Sequence, residues 1–395
     1  MKAIIFWCKV NKYYVQKWYT KLKDFALKDA VLIWSCVVTD RAKTKFIKEV
    51  RRQVESGRIV YLTGCWVFQW WRLMEREKFF SLYPQLKQFS SKIVMLPEDT
   101  DVPLDKFLQN RIYTKHFLII QNWCDNFCSF CLTIRKRWKH RFRSWEDIYE
   151  ELKFIETQWV KEIVITGINL WAWGAKSTRD YTQSKLSWLL KQILKYTKIP
   201  RIRISSLGPE FVNDELVEVL QETRIMWHFH LSIQSFSNRI LLLMRRNYDF
   251  SILEKVIKKL KSLKKWYPVS IGADIIVGFP GETEEDFLIT YKFIKEFEIT
   301  KLHAFPFSPH LKWETVPASK FPNQLSDNIK KERVKRLIEL GNKIREKFVE
   351  KNKWLKLPVL VEEYKDWKRQ WWTPNYIQVW IKWNYKRGDI VEVEV

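Results

Sequence analysis

The sequence predicts an α/β chain of three parts: an N-terminal α/β domain, a (β/α) barrel or part of one, and a small C-terminal β-barrel. Three observations predict it. Short apolar runs recur just ahead of Cys8, Cys36 and Cys65. Six further strand patterns alternate with helical ones between His116 and Phe305. After Leu357 the pattern changes to short alternating strands. At 395 residues the chain can hold two or three domains and bury a sizeable core.

The first part spans residues 1–105. Ala3–Phe6, Ala30–Ile33 and Ile59–Leu62 read as buried parallel strands, because each is a short apolar run bounded by polar or glycine positions. Thr44–Glu55 is a basic helix between the second and third of them. Ser90–Leu108 holds Pro97, Pro103 and two acidic pairs, and reads as a linker. The second part, 106–340, places strands at His116–Ile120, Glu162–Thr166, Arg201–Ser205, His228–Ser232, Ser270–Val277 and Lys301–Phe305. Helices at Trp145–Thr157, Leu186–Tyr196, Glu215–Glu222, Phe250–Lys265 and Glu284–Phe297 alternate with them. That alternation argues for a barrel of partial TIM type, whose chemistry lies at the carboxyl ends of its strands. Lys330–Lys353 is a long charged helix that leads into the third part, 341–395. Its strands are Val359–Glu362, Ile377–Ile381 and Ile390–Val395. A basic β-module of this size commonly binds RNA; the competing reading is a structural cap.

The chemistry is carried by Cys124-Asp125-Asn126-Phe127-Cys128-Ser129-Phe130-Cys131. Three thiolates at C-x3-C-x2-C spacing can hold three irons of a 4Fe–4S cluster and leave the fourth open to a small molecule. Structural zinc is normally closed by four ligands, and thiolates are the usual ligands of Fe–S clusters. A zinc knuckle and buried apolar cysteines are the competing readings. Cys8, Cys36 and Cys65 each follow a strand pattern, so they would meet at one rim of an α/β sheet, where such folds bind ligands. Three cysteines in matching positions favour a second cluster over isolated buried thiols. A disulfide does not suit a chain without a secretory signal.

Lys+Arg number 70 against 45 Asp+Glu, a formal charge of +25. That excess favours a polyanionic partner, nucleic acid first. The N-terminal apolar run Ala3–Trp7 is shorter than the roughly 7–15 residues of a signal peptide. No stretch approaches the ~20 apolar residues of a membrane span. The expectation is a cytoplasmic, reducing location without a membrane partner.

On these motifs the chain resembles the radical S-adenosylmethionine (SAM) methylthiotransferases. Cys8-Lys9-Val10-Asn11 resembles the branch that modifies threonylcarbamoyladenosine in tRNA; the isopentenyladenosine branch typically reads C-Q-M-N there and the ribosomal-protein branch C-P-K-N. Similar stretches are Ser35-Cys36-Val37-Val38-Thr39, Thr166-Gly167-Ile168-Asn169-Leu170, Asp274–Thr283 and, near the C-terminus, Thr373-Pro374-Asn375-Tyr376. The resemblance implies an N-terminal cluster domain, a radical SAM barrel and a C-terminal TRAM β-barrel. It implies two 4Fe–4S clusters, one on Cys124, Cys128 and Cys131 that cleaves SAM, and an auxiliary one on Cys8, Cys36 and Cys65. Phe130 is then expected beside the adenine of SAM, with Gly167 and Asn169 lining the same pocket. It also implies tRNA as substrate and an external low-potential electron donor. The alternatives are methylthiolation of isopentenyladenosine in tRNA or of a ribosomal-protein aspartate, and a zinc-stapled RNA-binding protein that is not an enzyme. Phosphate contacts are expected from Lys365, Lys368, Arg369, Lys382, Lys386 and Arg387, and from Arg135–Arg143 and Arg245-Arg246. Ile134, Phe236 and Trp34 depart from the family pattern, the first two with an expected small effect on the SAM pocket.

Tryptophan is anomalous. At usual composition a chain of this length would carry about 28 glycines; it has 10, and 22 tryptophans. Trp7, Trp123, Trp138, Trp171, Trp313 and Trp372 stand where the family has glycine, which is used for positive φ or close backbone approach. These coincidences predict that UGA codons at such positions are read as glycine in the host cell. The competing reading is a tryptophan-rich protein whose rings stack on RNA bases.

Overall fold

The computed structural model describes all residues except 6–8, 24–28, 38, 71, 110, 264–265, 311–314, 363–369 and 381–384. Cys8, Trp7, Trp313, Lys365, Lys368, Arg369 and Lys382 therefore lie outside the described residues. Strands β1 (Lys2–Ile5), β2 (Val31–Ser35), β3 (Val60–Gly64) and β4 (Ile93–Met95) form one parallel sheet in that order. β2 is buried along its whole length, as a central strand covered on both faces must be. β4 lies within the segment expected to be a linker. Its three apolar residues complete the sheet, a pairing that the neighbouring prolines obscured.

The central part is an open arc of six parallel strands: β5 (His116–Asn122), β6 (Glu162–Gly167), β7 (Arg201–Ile204), β8 (His228–Gln234), β9 (Ser270–Val277) and β10 (Lys301–Pro306). β7 and β8 are joined through the bridge Leu207↔Leu231. Among the described residues β5 and β10 do not pair with each other, so the barrel is open on one side. The helix Lys9–Leu22 packs on β5 and carries Val10, Tyr13, Tyr14, Val15 and Trp18 into the barrel's apolar core. Helices return the chain between strands. Trp145–Thr157 starts at Ser144, whose hydroxyl accepts from the Asp147 N–H, and Glu284–Glu296 starts in a capping box of Thr283 and Asp286.

The long helix Asp327–Lys351 runs through the expected boundary at 340 without a break. Beyond it β11 (Lys356–Leu360) pairs antiparallel with β14 (Ile390–Glu394), and β12 (Gln370–Trp372) with β13 (Gln378–Trp380). Phe348, Val359, Val361, Trp371, Ile377 and Val379 form a separate small core there. This module closes the amino-terminal end of the barrel. The Trp227 N–H donates to the Pro374 carbonyl at 3.1 Å, Asn375 Nδ2 to the Pro268 carbonyl at 3.1 Å, and Tyr376 stacks on His228 at 4.4 Å. Among the described residues no helix is long and apolar enough to cross a membrane.

Among the described residues, four of the eleven non-glycine residues with positive φ are tryptophans: Trp70, Trp123, Trp159 and Trp354. Trp159 shows why this matters. Its N–H donates to the Glu156 carbonyl, and the Val160 N–H donates to that of Ile155. This is the Schellman arrangement that usually carries glycine in the left-handed position. The ring is 80% exposed and meets only Lys161 as a cation neighbour. Left-handed backbone costs an L-residue roughly 1–2 kcal/mol. Trp159→Gly is therefore expected to leave stability unchanged or raise it by up to about 1 kcal/mol, measured by chemical denaturation. A loss of the size seen on emptying a core would contradict this reading of the turn.

Candidate active site

The cysteine loop begins where β5 ends, and local polar contacts fold it back on itself. Asp125 Oδ1 accepts from both the backbone N–H (2.8 Å) and the hydroxyl of Thr178. The Asn126 N–H donates to Cys124 Sγ at 3.4 Å, and the Cys131 N–H to the Cys128 carbonyl at 3.1 Å. Ser129 pins the loop to the end of the helix Asn238–Leu243: its hydroxyl donates to the Leu243 carbonyl at 2.7 Å and its N–H to that of Met244 at 3.1 Å. Cys124, Cys128 and Cys131 thereby line one cleft with Asn169, Ser232, Gln234 and Glu210.

The electrostatics of that cleft suit a metal centre. Burial pushes the Cys124 thiol up to about 12, the neighbouring Cys128 adds to the rise, and the Asn126 N–H and Thr178 oppose it. Cys131 is raised for the same reasons, burial first and Cys128 second. Thiols crowded out of water keep their protons until a cation replaces them, as in metal binding coupled to proton release. Arg246 Nη1 donates to Cys128 Sγ at 3.2 Å and its Nη2 to the Ser232 carbonyl at 3.3 Å. Glu210 Oε2 is buried without a hydrogen-bond partner among the described residues, and burial raises its carboxyl above the usual range. A buried acceptor beside three thiols fits a ligand that brings a cationic or donor group, as SAM does with its amino group. Three thiols on one wall and this orphaned oxygen fit a cluster and SAM together.

Cys36 and Cys65 are buried at the carboxyl ends of the adjacent strands β2 and β3, where Ser35 and Gly64 are register partners. Gly64 has φ +91°, and a Cβ there would lie 2.5 Å from the Ser35 carbonyl oxygen, so only glycine lets the strands close at this rim. Cys65 Sγ accepts from Arg137 Nε at 3.3 Å. The same guanidinium pairs with Glu98 at 2.6 Å and donates to Asn122 Oδ1 at 3.2 Å and Asn11 Oδ1 at 3.3 Å. Its backbone carbonyl accepts the Cys124 N–H at 3.0 Å. One residue thus touches both groups of cysteines.

The sequence profile of the Radical SAM superfamily matches residues 118–294. The chain is 31% identical to the threonylcarbamoyladenosine tRNA methylthiotransferase MtaB of Bacillus subtilis, over 98% of this chain and 92% of that one. It is 33% identical to the protein of the same name from Aquifex aeolicus, over 98% and 97%. The chain belongs to the radical SAM methylthiotransferases. A tRNA-2-methylthio-N6-dimethylallyladenosine synthase from Aquifex aeolicus, of a sister branch, is 34% identical over 69% of this chain and 60% of that one. The enzyme therefore uses SAM and a 4Fe–4S cluster.

Not every expected residue enters the cleft of this methylthiotransferase. Asn169 lines it, whereas Phe130 packs on the core of the N-terminal sheet and Gly167 lies against Gln121 and Leu170. Ile134 is on the wall, but Phe236 is buried among Phe250, Phe293 and Phe297. The basic segments expected to meet phosphate are divided. Lys136 is buried with its ammonium donating to the Phe68 carbonyl at 2.7 Å, and Arg137 and Arg246 turn inward to sulfur. Lys139, Arg141 and Arg245 remain exposed. Arg137 and Arg246 were missed because a charged residue in a basic stretch reads as surface until its burial is known, and Glu210 because a single acid in a turn carries no signal in the sequence. Breaking a buried ion pair costs about 3–5 kcal/mol, so Arg137→Ala is expected to lower stability by about that much, with Glu98→Gln recovering part of it in the double variant. Chemical denaturation of the four proteins measures this; additive losses would contradict the pairing.

Proposed function

We propose that the enzyme adds a methylthio group to C2 of N6-threonylcarbamoyladenosine beside the anticodon of tRNA. The observation that carries this is the match along 98% of the chain to relatives named for that reaction. The match to the dimethylallyladenosine synthase covers a smaller share of both chains, so isopentenyladenosine is the second reading. Labour divides between the N-terminal sheet of residues 1–105, the barrel with its long helix Asp327–Lys351, and the β-module after that helix.

Cys124, Cys128 and Cys131 would hold the 4Fe–4S cluster. With SAM bound to it, that centre supplies an electron that cleaves SAM to a carbon radical able to take hydrogen from C2. Arg246 fixes Cys128 and neutralises thiolate charge, while Asn169, Gln234 and Glu210 offer polar contacts to SAM. Phe130 and Gly167 act from behind the wall, by shaping the loop and the end of β6. Cys8, Cys36 and Cys65 would hold an auxiliary cluster tied to the sulfur that is inserted, and Arg137 orients Cys65 toward the barrel. The tRNA would be gripped by phosphate contacts, which release counterions and weaken with salt. Lys386 and Arg387 of the C-terminal module, and Lys139 and Arg141 near the cleft, are exposed donors for it. The electron comes from an external low-potential donor, in the cytoplasm where tRNA is.

Nucleoside mass spectrometry of tRNA from cells lacking the gene is expected to show threonylcarbamoyladenosine without its 2-methylthio form. Wild-type enzyme restores the methylthio form; the triple variant C124A/C128A/C131A does not. Loss of 2-methylthio-isopentenyladenosine instead would sink this reading in favour of the second. Anaerobic reconstitution is expected to give two clusters' worth of iron and sulfide, and replacing Cys8, Cys36 and Cys65 by Ala should halve it. An undiminished iron content would remove the auxiliary cluster from those residues.

A further inference from the structure

Below the cysteine cleft the barrel interior is polar. His228, His230 and Ser232 alternate along β8 and so share its inward face. Ser232 lines the cleft; His230 is two residues deeper, about 7 Å along the strand. His230 Nε2 meets Asp274 Oδ2 at 3.1 Å, and His303 Nδ1 meets Asp274 Oδ1 at 3.3 Å. One carboxylate of β9 thus holds an imidazole from each neighbouring strand, one oxygen apiece. Gly272, inward on β9, makes the room: a Cβ there would lie 2.6 Å from His230 Nδ1 and 2.9 Å from His228 Cε1. The floor is closed by His228, bonded to Ser270 Oγ at 2.8 Å and stacked on Tyr376.

We propose that His303 and His230, held by Asp274, form the subsite that binds the polar N6 substituent of the tRNA adenosine, with His303 Nε2 as the polar contact to its hydroxyl. This rests on the threonylcarbamoyl reading above and names how that substrate is told from the apolar dimethylallyl one. His303 Nε2 has no hydrogen-bond partner among the described residues, and the side chain is 41% exposed, open toward the barrel's unpaired side. With Nδ1–H donated to Asp274, the second ring nitrogen is left to the substituent's hydroxyl. Burial tends to raise the Asp274 carboxyl, but the two imidazoles hold it well below the usual range, so it stays ionised and keeps both rings oriented. An apolar substituent would strip water from these groups and return no hydrogen bond, which is how a polar site rejects an apolar analogue.

The test is affinity without turnover. The full chain, with reconstituted clusters, is titrated with an anticodon stem-loop carrying N6-threonylcarbamoyladenosine, and with the same RNA carrying unmodified or isopentenyl-modified adenosine. A hydrogen bond of this kind corresponds to up to about a tenfold preference for the first RNA in the wild type. His303→Leu is expected to bring that ratio to about one, and His303→Gln, which keeps a hydrogen-bonding group, to restore part of it. Should the leucine variant fold poorly, the glutamine variant and the wild type carry the comparison through an Asp274→Asn partner, which frees both rings and lowers the ratio. An unchanged ratio in His303→Leu overturns the subsite. So does a wild type that makes 2-methylthio-threonylcarbamoyladenosine without any affinity preference, and that outcome leaves the proposed function standing. A wild type that methylthiolates only the isopentenyl RNA overturns the proposed function itself, and the subsite with it.

Discussion

Arg137 carries a positive charge into a space where water cannot follow, and its neighbours are arranged to meet that charge. Glu98 supplies the opposite charge, Asn11 and Asn122 supply oxygens, and Cys65 supplies sulfur. These groups come from the N-terminal helix, the segment after β4, the end of β5 and the rim of β3. No single one of these elements could hold its polar group there alone. A buried guanidinium left short of partners costs several kcal/mol, so the four elements are constrained to arrive together. That constraint sets the N-terminal sheet's rim against the cysteine loop and brings the two sets of cysteines to one place.

The barrel's openness follows from the same arrangement. Among the described residues β5 and β10 do not pair; the edge of β5 carries the two-residue antiparallel strand Arg141–Phe142, and the helix Lys9–Leu22 packs on β5. The interior beneath the cleft is therefore not filled by stacked apolar side chains, as a closed barrel of this kind is. It holds His228, His230, Asp274 and His303, and below β6 and β7 the buried Glu162 with Arg201 at 2.7 Å and Arg203 at 3.2 Å. Such groups are tolerated inside only when paired, and here the pairing is cross-strand. The C-terminal module completes it from below, accepting from Arg203 through the Thr373 and Pro374 carbonyls, each at 3.4 Å.

The tryptophans bear on the same geometry. Trp123 stands between β5 and Cys124 with φ 66°, and its indole donates to Glu98 at 2.9 Å. Trp171 is buried on the cleft wall. At the first position glycine would relieve the backbone, and at the second it would widen the cleft. Codon reading at these two sites therefore changes the site itself, whereas at the exposed Trp159 and Trp354 it changes only a helix end and a turn.

By itself the sequence determined what is local. The alternation of short apolar runs with 3.6-period segments placed the six barrel strands within a residue or two, and Trp145–Thr157 and Leu186–Tyr196 as they stand. Cys124, Cys128 and Cys131 fall within eight residues, so their grouping was legible, and the contacts of Asp125 and Ser129 fold that stretch around one cleft. β4 was not legible, since three apolar residues beside two prolines form a strand only when β3 offers an edge. Nor were Arg137, Arg246 and the His230–Asp274–His303 set, which are far apart in the chain and polar in character. Whether a charged side chain faces water or sulfur is decided by which element closes over it. That is a property of the packed molecule, because the desolvation that makes such a contact strong exists only once the strands have met.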